Sequence, residues 1–252
     1  MNTASAAGCI FYLGFDDTDT KTSPKGTGRT IRDFCAGLPE TFTLRAVLRH
    51  QLPKLPEIPF TSNNSSACAV LEADDPSLGR GLFEAAAAYL AANTPEGSDP
   101  GVCLAAAGDV DDALVAFALS CNAGKVAQRD AMAAASGAHL AGVGGSNDGI
   151  IGAAAAVGLT RHGWCGRFIE LGDMRRLPAT VAVSELEARG IRVVSVDRDP
   201  LVPLSGDSVA TGGWLRPSLW GGQAVLQVRA DGLGRWVAAL GKRADKAAGG
   251  IA

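Results

Sequence analysis

Aromatic residues, histidine and charge of one sign are all scarce in this chain, and each scarcity excludes something. Aromatics make up 6% of 252 residues against 47% apolar residues overall, so the core is expected to rest on Ala, Val and Leu rather than on rings. The formal net charge is only −3, which removes the global basic footprint of a nucleic-acid binder. The three histidines, His50, His139 and His162, have no ligand spacing and are read as structural or surface groups. Six cysteines at positions 9, 35, 68, 103, 121 and 165 form no C-x-x-C pair, which excludes a zinc ribbon. They read as small core residues of a reduced, cytoplasmic protein. No run approaches the roughly 20 apolar residues of a membrane span. Met1-Asn2-Thr3-Ala4-Ser5 has neither the basic nor the apolar segment of a secretory leader. A Walker A loop, a GxSxG elbow and internal repeats are also missing.

What is present alternates between strand and helix patterns, an α/β texture. Strands are expected over 9–15, 42–48, 67–72, 101–107, 165–171, 191–196 and 223–229. Helices are expected over 29–35, 111–121, 125–135 (Gly137 as its C-cap) and 150–157, the last ended by Gly158. A further helix is expected to open at Asp75-Pro76, with Asp as N-cap and Pro at the first position. Pro53, Pro56 and Pro59 make 50–61 an extended loop. Ser184-Glu185-Leu186-Glu187 reads as a capping box. Leu233, Trp236, Val237 and Leu240 mark a final helix, and the tail from Ala244 is expected to fray. The texture changes near residue 162, which divides the chain into 1–162 and a smaller 163–252. A long 197–222 loop in the second part holds Trp214 and Trp220, placed for a lid, a partner surface or core packing.

The chemistry concentrates in two neighbouring segments. Gly14-Phe15-Asp16-Asp17-Thr18-Asp19-Thr20 follows the apolar run Cys9-Ile10-Phe11-Tyr12-Leu13. Three carboxylates at the end of a buried strand repel one another and desolvate badly unless a cation sits among them. Asp16, Asp17 and Asp19 are therefore expected to hold Mg²⁺ or orient an acceptor; a solvated turn is the plainer alternative. Lys25-Gly26-Thr27-Gly28-Arg29-Thr30 then offers backbone amides at Gly26 and Gly28, a helix N-terminus, and positive charge at Lys25 and Arg29 for phosphates. An acidic corner beside a basic glycine loop points to ATP with Mg²⁺. A second glycine loop, Gly144-Gly145-Ser146-Asn147-Asp148-Gly149, precedes an apolar helix and reads either as an anion or ribose site or as a flexible helix entry. Asn63, Asn64, Ser65 and Ser66 read as hydrogen-bonding groups for a substrate or base edge, or as a polar turn. Asp109, Asp111 and Asp112 read as helix caps.

Together these segments resemble the archaeal agmatinylcytidine synthase family, which modifies an isoleucine tRNA. The Gly14–Thr20 run is similar to its GIDDTDS signature. Leu55-Pro56-Glu57-Ile58-Pro59-Phe60 and the polar turn after it resemble its NPNIPYKTRGN segment. The run Asp148-Gly149-Ile150-Ile151-Gly152-Ala153-Ala154-Ala155-Ala156-Val157-Gly158 is similar to its GIIGALAAIG run. Pro217-Ser218-Leu219-Trp220-Gly221 more weakly resembles its PVLYG segment. Order and spacing agree over roughly residues 8–172. The resemblance implies an α+β architecture: an ATP-binding, kinase-like catalytic domain over 1–162, then a ferredoxin-like domain over 163–252. It also implies a chemistry. ATP phosphorylates a cytidine carbonyl oxygen and agmatine displaces the phosphate, with the three aspartates near phosphates and metal.

The chain also departs from that family. Counterparts of its OB-fold and zinc-ribbon modules are missing from these residues. The basic residues of its KTRGN turn fall on Thr61 and Asn63. Its phosphorylated threonine falls near Arg29, with Thr30 and Thr27 alongside. Phosphate neutralisation supplies much of RNA affinity, so these departures favour a small-molecule acceptor, with an amine as the displacing co-substrate. The sequence-based expectation is thus a Mg²⁺–ATP-dependent phosphotransferase or ligase with Asp16, Asp17, Asp19 and Thr30 in catalysis. A tRNA-modifying enzyme and a non-catalytic ATP-sensing module are the alternatives, and a homo-oligomer is left open.

Overall fold

A computed structural model describes residues 8–61, 63–197 and 201–239. The chain divides into two compact units, Met1–Gly166 and Arg167–Ala252, so the junction falls four residues beyond the division read near 162.

In the first unit the order is β1 (Cys9–Asp16), α1 (Thr27–Ala36), β2 (Phe42–Gln51), β3 (Ser65–Ala73), α2 (Leu78–Asn93), β4 (Gly101–Ala106), α3 (Asp112–Ala123), α4 (Gln128–Ala134), β5 (His139–Gly142) and α5 (Gly149–His162). The strands form an antiparallel sheet in the order β5-β4-β1-β3-β2. β1 is central and covered on both faces, which is why its sequence is nearly all apolar. Side chains alternate across a strand. Phe11 and Phe15 face α2 and α1, where Phe11 meets Gly79 and the Phe15 ring centroid lies 5.7 Å from that of Phe34. Gly14 and Asp16 face α5. This period of two delivers the Asp16 carboxylate to the α5 side of the sheet.

Helix α5 is buried along almost its whole length and packs on β1, β3 and β4 and against α3. Small residues permit that. A Cβ on Gly14 would lie 2.2 Å from the Ala153 carbonyl oxygen, and one on Gly158 would lie 2.5 Å from that of Leu114. Gly158 is therefore a contact with α3 inside the helix and not its end. Gly163, at φ +79, is the left-handed cap.

Several local expectations are corrected. α2 starts at Leu78 after Ser77; Asp75 instead accepts the Ser77 amide in the preceding turn. α4 starts at Gln128, with Asp130 accepting the Ala127 amide at 3.0 Å, and its C-cap is Ala135, not Gly137. β5 falls where no strand was expected. Asp111 does cap α3, accepting the Leu114 amide at 2.9 Å.

The second unit is mostly β: β6 (Arg167–Leu171), a 3₁₀ turn (Met174–Arg176), β7 (Thr180–Ala182), α6 (Val183–Glu187), β8 (Ile191–Ser195), β9 (Ser208–Ala210), β10 (Ser218–Trp220), β11 (Gln223–Ala230) and β12 (Arg235–Ala238). The expected 197–222 loop carries β9 and β10, and β9 pairs in parallel with β12 and antiparallel with β7. The expected final helix is strand β12, whose alternate residues Trp236 and Ala238 are buried. Leu240 and the tail from Ala244 lie outside the described residues. The N-cap of α6 is Ala182, so the Ser184 capping box does not form. The chain is thus a mixed α+β protein. No helix among the described residues is long and apolar enough to cross a membrane.

Candidate active site

The end of β1 opens into a cavity of about 560 Å³, within the range of about 300–1,000 Å³ usual for small-molecule sites. Five carboxylates line it: Asp16, Asp17 and Asp19 from the end of β1, Asp99 from the approach to β4, and Asp148 from the entry to α5. Apolar groups (Leu52, Ile58, Phe60, Ile151) and the amides of Asn63, Asn64 and Gln128 also line it. Lys125, in the link between α3 and α4, is the one cation among the described residues lining the cavity.

Local chemistry explains the shape of the aspartate corner. Asp17 turns the chain at φ +48, a left-handed conformation that Asp tolerates better than most residues. Thr18 is buried and donates its hydroxyl to Thr27 Oγ1 at 3.2 Å, tying the turn to the first residue of α1. The next turn is cinched by Ser23, whose Oγ accepts the Thr20 amide at 2.8 Å. Asp16 packs directly on α5: a Cβ on Gly152 would lie 1.8 Å from Asp16 Oδ2, so no side chain can stand there while the carboxylate keeps its place.

The electrostatics follow from that packing. Burial, reinforced by Asp17 and Asp19, pushes the Asp16 pKa up from 3.8 to about 8. Burial and then the neighbouring charges of Asp99, Asp19 and Asp148 push Asp17 up to about 6. Asp19 is also raised by burial, though the Thr61 and Thr27 hydroxyls that it accepts pull against the rise. Burial and the Asp16 charge hold the cavity-lining Cys121 thiol at about 12, which keeps it protonated and unreactive. Carboxylates kept from ionising by burial and, at Asp16 and Asp17, by neighbouring charge suit a hard divalent cation. No group of three or more Asp, Glu, His or Cys side chains among the described residues converges to hold a metal ion.

The structure separates the other expected site residues. Lys25 and Arg29 do not line the cavity; Lys25, just before α1, and Arg29, in its first turn, pair with Asp33 at 2.7 and 3.3 Å at the surface. Together they hold the Asp33 carboxyl below its ordinary range, Lys25 contributing most. Gly26 is the N-cap of α1 and approaches Asp19; Gly28 accepts from Arg32 Nε at 3.0 Å. Thr30 is buried within α1, 3.4 Å from the Gly26 carbonyl oxygen, and does not reach the cavity. Thr27 does line it.

Gly144, Gly145, Ser146, Asn147 and Gly149 stand behind the wall, and only Asp148 of that loop lines the cavity. The loop is clamped from within. Asp99 accepts the Ser146 amide at 2.7 Å and its hydroxyl at 2.9 Å, while Gln128 Nε2 donates to the Ser146 carbonyl at 2.8 Å and to Asp148 Oδ1 at 2.6 Å. The Ser146 donors are thus engaged by the Asp99 carboxylate, and the Asn147 and Gly149 amides by the Gly144 and Asp99 backbone carbonyls. Asn63, Asn64 and Ser65 line the cavity, whereas Ser66 is buried.

The histidines take structural places. His50 is buried with Nε2 2.9 Å from Thr160 Oγ1, and the His139 ring lies against Phe83. Asp99, Lys125, Gln128 and Asp148 were not singled out as site residues by sequence reasoning. They are isolated polar residues with no motif around them, apart from Asp148 at the edge of the glycine loop.

No family model matches the chain, and no curated protein matches it. Solved structures do. The crystal structure of apo TiaS, described as a tRNA agmatidine synthetase, is 20% identical over 59% of this chain and 35% of that one, with a TM-score of 0.48. The complex of TiaS with its tRNA and ATP is 20% identical over 60% of this chain and 36% of that one, at 0.49. The complex of TiaS with its tRNA, AMPCPP and agmatine is 19% identical over 59% and 36%, at 0.47. The chain therefore spans little more than a third of the length of these structures. They belong to the synthetase whose family the motifs resemble.

Proposed function

We propose that this chain is a Mg²⁺–ATP-dependent enzyme that activates an oxygen of its acceptor by phosphorylation. The observation that carries this reading is the cavity at the end of β1, lined among the described residues by five carboxylates and one lysine. Asp16 and Asp17 hold Mg²⁺, which when bound neutralises phosphate charge. Asp19, fixed by the Thr27 and Thr61 hydroxyls, orients the acceptor oxygen. Lys125 takes the phosphate-stabilising role first read for Lys25 and Arg29, because it alone among the described cations lines the cavity. A fixed positive group placed where charge spreads over a transferring phosphoryl group lowers the barrier to transfer. The acceptor oxygen attacks the γ-phosphorus and ADP leaves. An amine nitrogen then attacks the activated carbon and inorganic phosphate leaves.

The acceptor is taken to be a nucleoside in tRNA, as the ordered motifs imply, rather than a free small molecule. The two positions where basic residues are lost, Thr61 and Asn63, still line the cavity as hydrogen-bonding groups. Their change weakens phosphate attraction without removing the site. The test is calorimetric titration of ATP with and without Mg²⁺, with assay of released ADP and phosphate in the presence and absence of tRNA and an amine. Mg²⁺-dependent binding with tRNA-stimulated ADP release is expected. No nucleotide binding would overturn the reading, and tight binding without turnover under any acceptor would leave an ATP-sensing module.

A further inference from the structure

We infer that Phe60 and Asn63 form a nucleobase subsite on the rim of the cavity, the ring serving as a stacking platform and the Asn63 amide reading a base edge. This rests on the nucleotide reading of the acidic end. Phe60 is the one aromatic side chain among the described residues lining the cavity, and it is 39% exposed in a chain poor in rings. It is held in place without being covered. The Lys54 ammonium lies over one face, 5.5 Å from the ring centroid, and donates to Asn63 Oδ1 at 3.1 Å.

The loop that carries the ring is stapled at its base. Asn64 Nδ2 donates to the Pro53 carbonyl at 2.7 Å, and the Asn64 carbonyl accepts from the Leu52 amide at 2.8 Å and from Gln51 Nε2 at 2.6 Å. Asn64 is thereby committed to structure. Asn63 has its side-chain oxygen fixed by Lys54, which leaves its amide hydrogens as donors for acceptors on a base edge. At the far end of the loop the Thr61 hydroxyl reaches Asp19, which sets the platform in register with the phosphate end.

A purely apolar ligand does not fit beside five carboxylates and an amide. A flat heteroaromatic with a polar edge does, since every base has a π-face and stacking tolerates any of them. Two sources share that chemistry, the adenine of ATP and a base of the RNA acceptor.

Binding of Mg²⁺–ATP, Mg²⁺–tripolyphosphate and a short single-stranded oligocytidine to the whole protein and to Phe60→Ala and Phe60→Trp separates them. Loss of a stacked base costs about tenfold to a hundredfold in affinity. If adenine stacks, Phe60→Ala weakens ATP by that factor, leaves tripolyphosphate within about twofold, and Phe60→Trp restores ATP. If the acceptor's base stacks, the same pattern falls on the oligonucleotide and ATP is unchanged. Binding of all three probes unmoved by Phe60→Ala, or ATP and tripolyphosphate weakened equally, overturns the subsite and leaves the phosphotransferase reading standing. Failure of tripolyphosphate and ATP alike to bind the unaltered protein overturns both.

Discussion

Replacing Asp16 by Asn is expected to make the protein more stable and its site inert. Asp16 ends β1 half-buried and packed against Gly152, and desolvation with its two acidic neighbours lifts its pKa from 3.8 to about 8. In the unfolded chain the group titrates near its ordinary value. Between those two values the folded protein keeps a proton that the unfolded chain has released. Stability therefore falls as pH rises through this window, by about 1.4 kcal/mol per pH unit. By pH 7 the accumulated penalty is about 4 kcal/mol, a large share of the roughly 5–15 kcal/mol that holds a typical domain. Asparagine keeps a carbonyl oxygen for the Asp17 amide and removes the titration. Asp16→Asn should then raise the unfolding free energy by about 2–4 kcal/mol at pH 7, less whatever the amide loses in fit. The gain should shrink towards zero near pH 4. The assay is urea denaturation from pH 4.5 to 8.5 with a chelator present, taking variant minus wild type so that other titrating groups cancel. Added Mg²⁺ favours the ionised carboxylate and should restore stability to the wild type alone, by mass action. A difference that is flat with pH, or a variant less stable than wild type at pH 8, would refute the reasoning.

The remaining predictions test other contacts. His50 titrates in the opposite sense: burial lowers its pKa to about 4. The unfolded chain thus binds the extra proton between pH 6.5 and 4, and acidification through that window should remove about 3 kcal/mol of stability, a slope that His50→Gln should flatten in the same denaturation series. Gly152→Ala places a methyl where Asp16 Oδ2 now lies; titration calorimetry should find Mg²⁺-dependent ATP binding at least tenfold weaker, with a loss of about 1–3 kcal/mol in stability. Gly14→Ala meets the Ala153 carbonyl, which is backbone and cannot swing away, and should lose about 1–3 kcal/mol or more. Gly81→Ala, in open space on α2, should instead gain about 0.5–1 kcal/mol in thermal or chemical denaturation. Lys125→Met should lower phosphoryl transfer by about a hundredfold, whereas Lys25→Met, which breaks only an exposed pair with Asp33, should leave turnover within about twofold; the reverse ranking would return the phosphates to the Lys25 loop.

What could be read from the sequence was local. Cys9 to Leu13 is continuous apolar chain because β1 is covered on both faces, and the aspartates that follow stand where that strand must end. Glycine was read by its commonest meaning, and at Gly158 that meaning was wrong. The residue lets the Leu114 carbonyl come close instead of ending the helix, a tertiary reason with no trace in the neighbouring residues. Trp236 failed for another cause. In a four-residue strand, Arg235 to Ala238, alternate burial looks much like one turn of an apolar helical stripe, and only pairing with β9 and β11 decides between them.

The cavity shows the same limit more sharply. Lys25 and Arg29 stand close in sequence to Asp16 and were assigned to phosphate for that reason. Asp33, four residues after Arg29 on the same helix, offers both of them a nearer carboxylate, and a local pair forms without any loop closure. Lys125 lies more than a hundred residues from Asp16 and has no motif about it. It lines the cavity because α3 packs on α5 and α5 packs on β1. Asp16, Asp17 and Asp19 come together by adjacency at the end of one strand, whereas Asp99, Asp148 and Lys125 reach the cavity by packing of distant segments. Truncations or insertions in the α3–α4 link should therefore disable the site while leaving the aspartate corner, and its Mg²⁺-dependent stabilisation, intact.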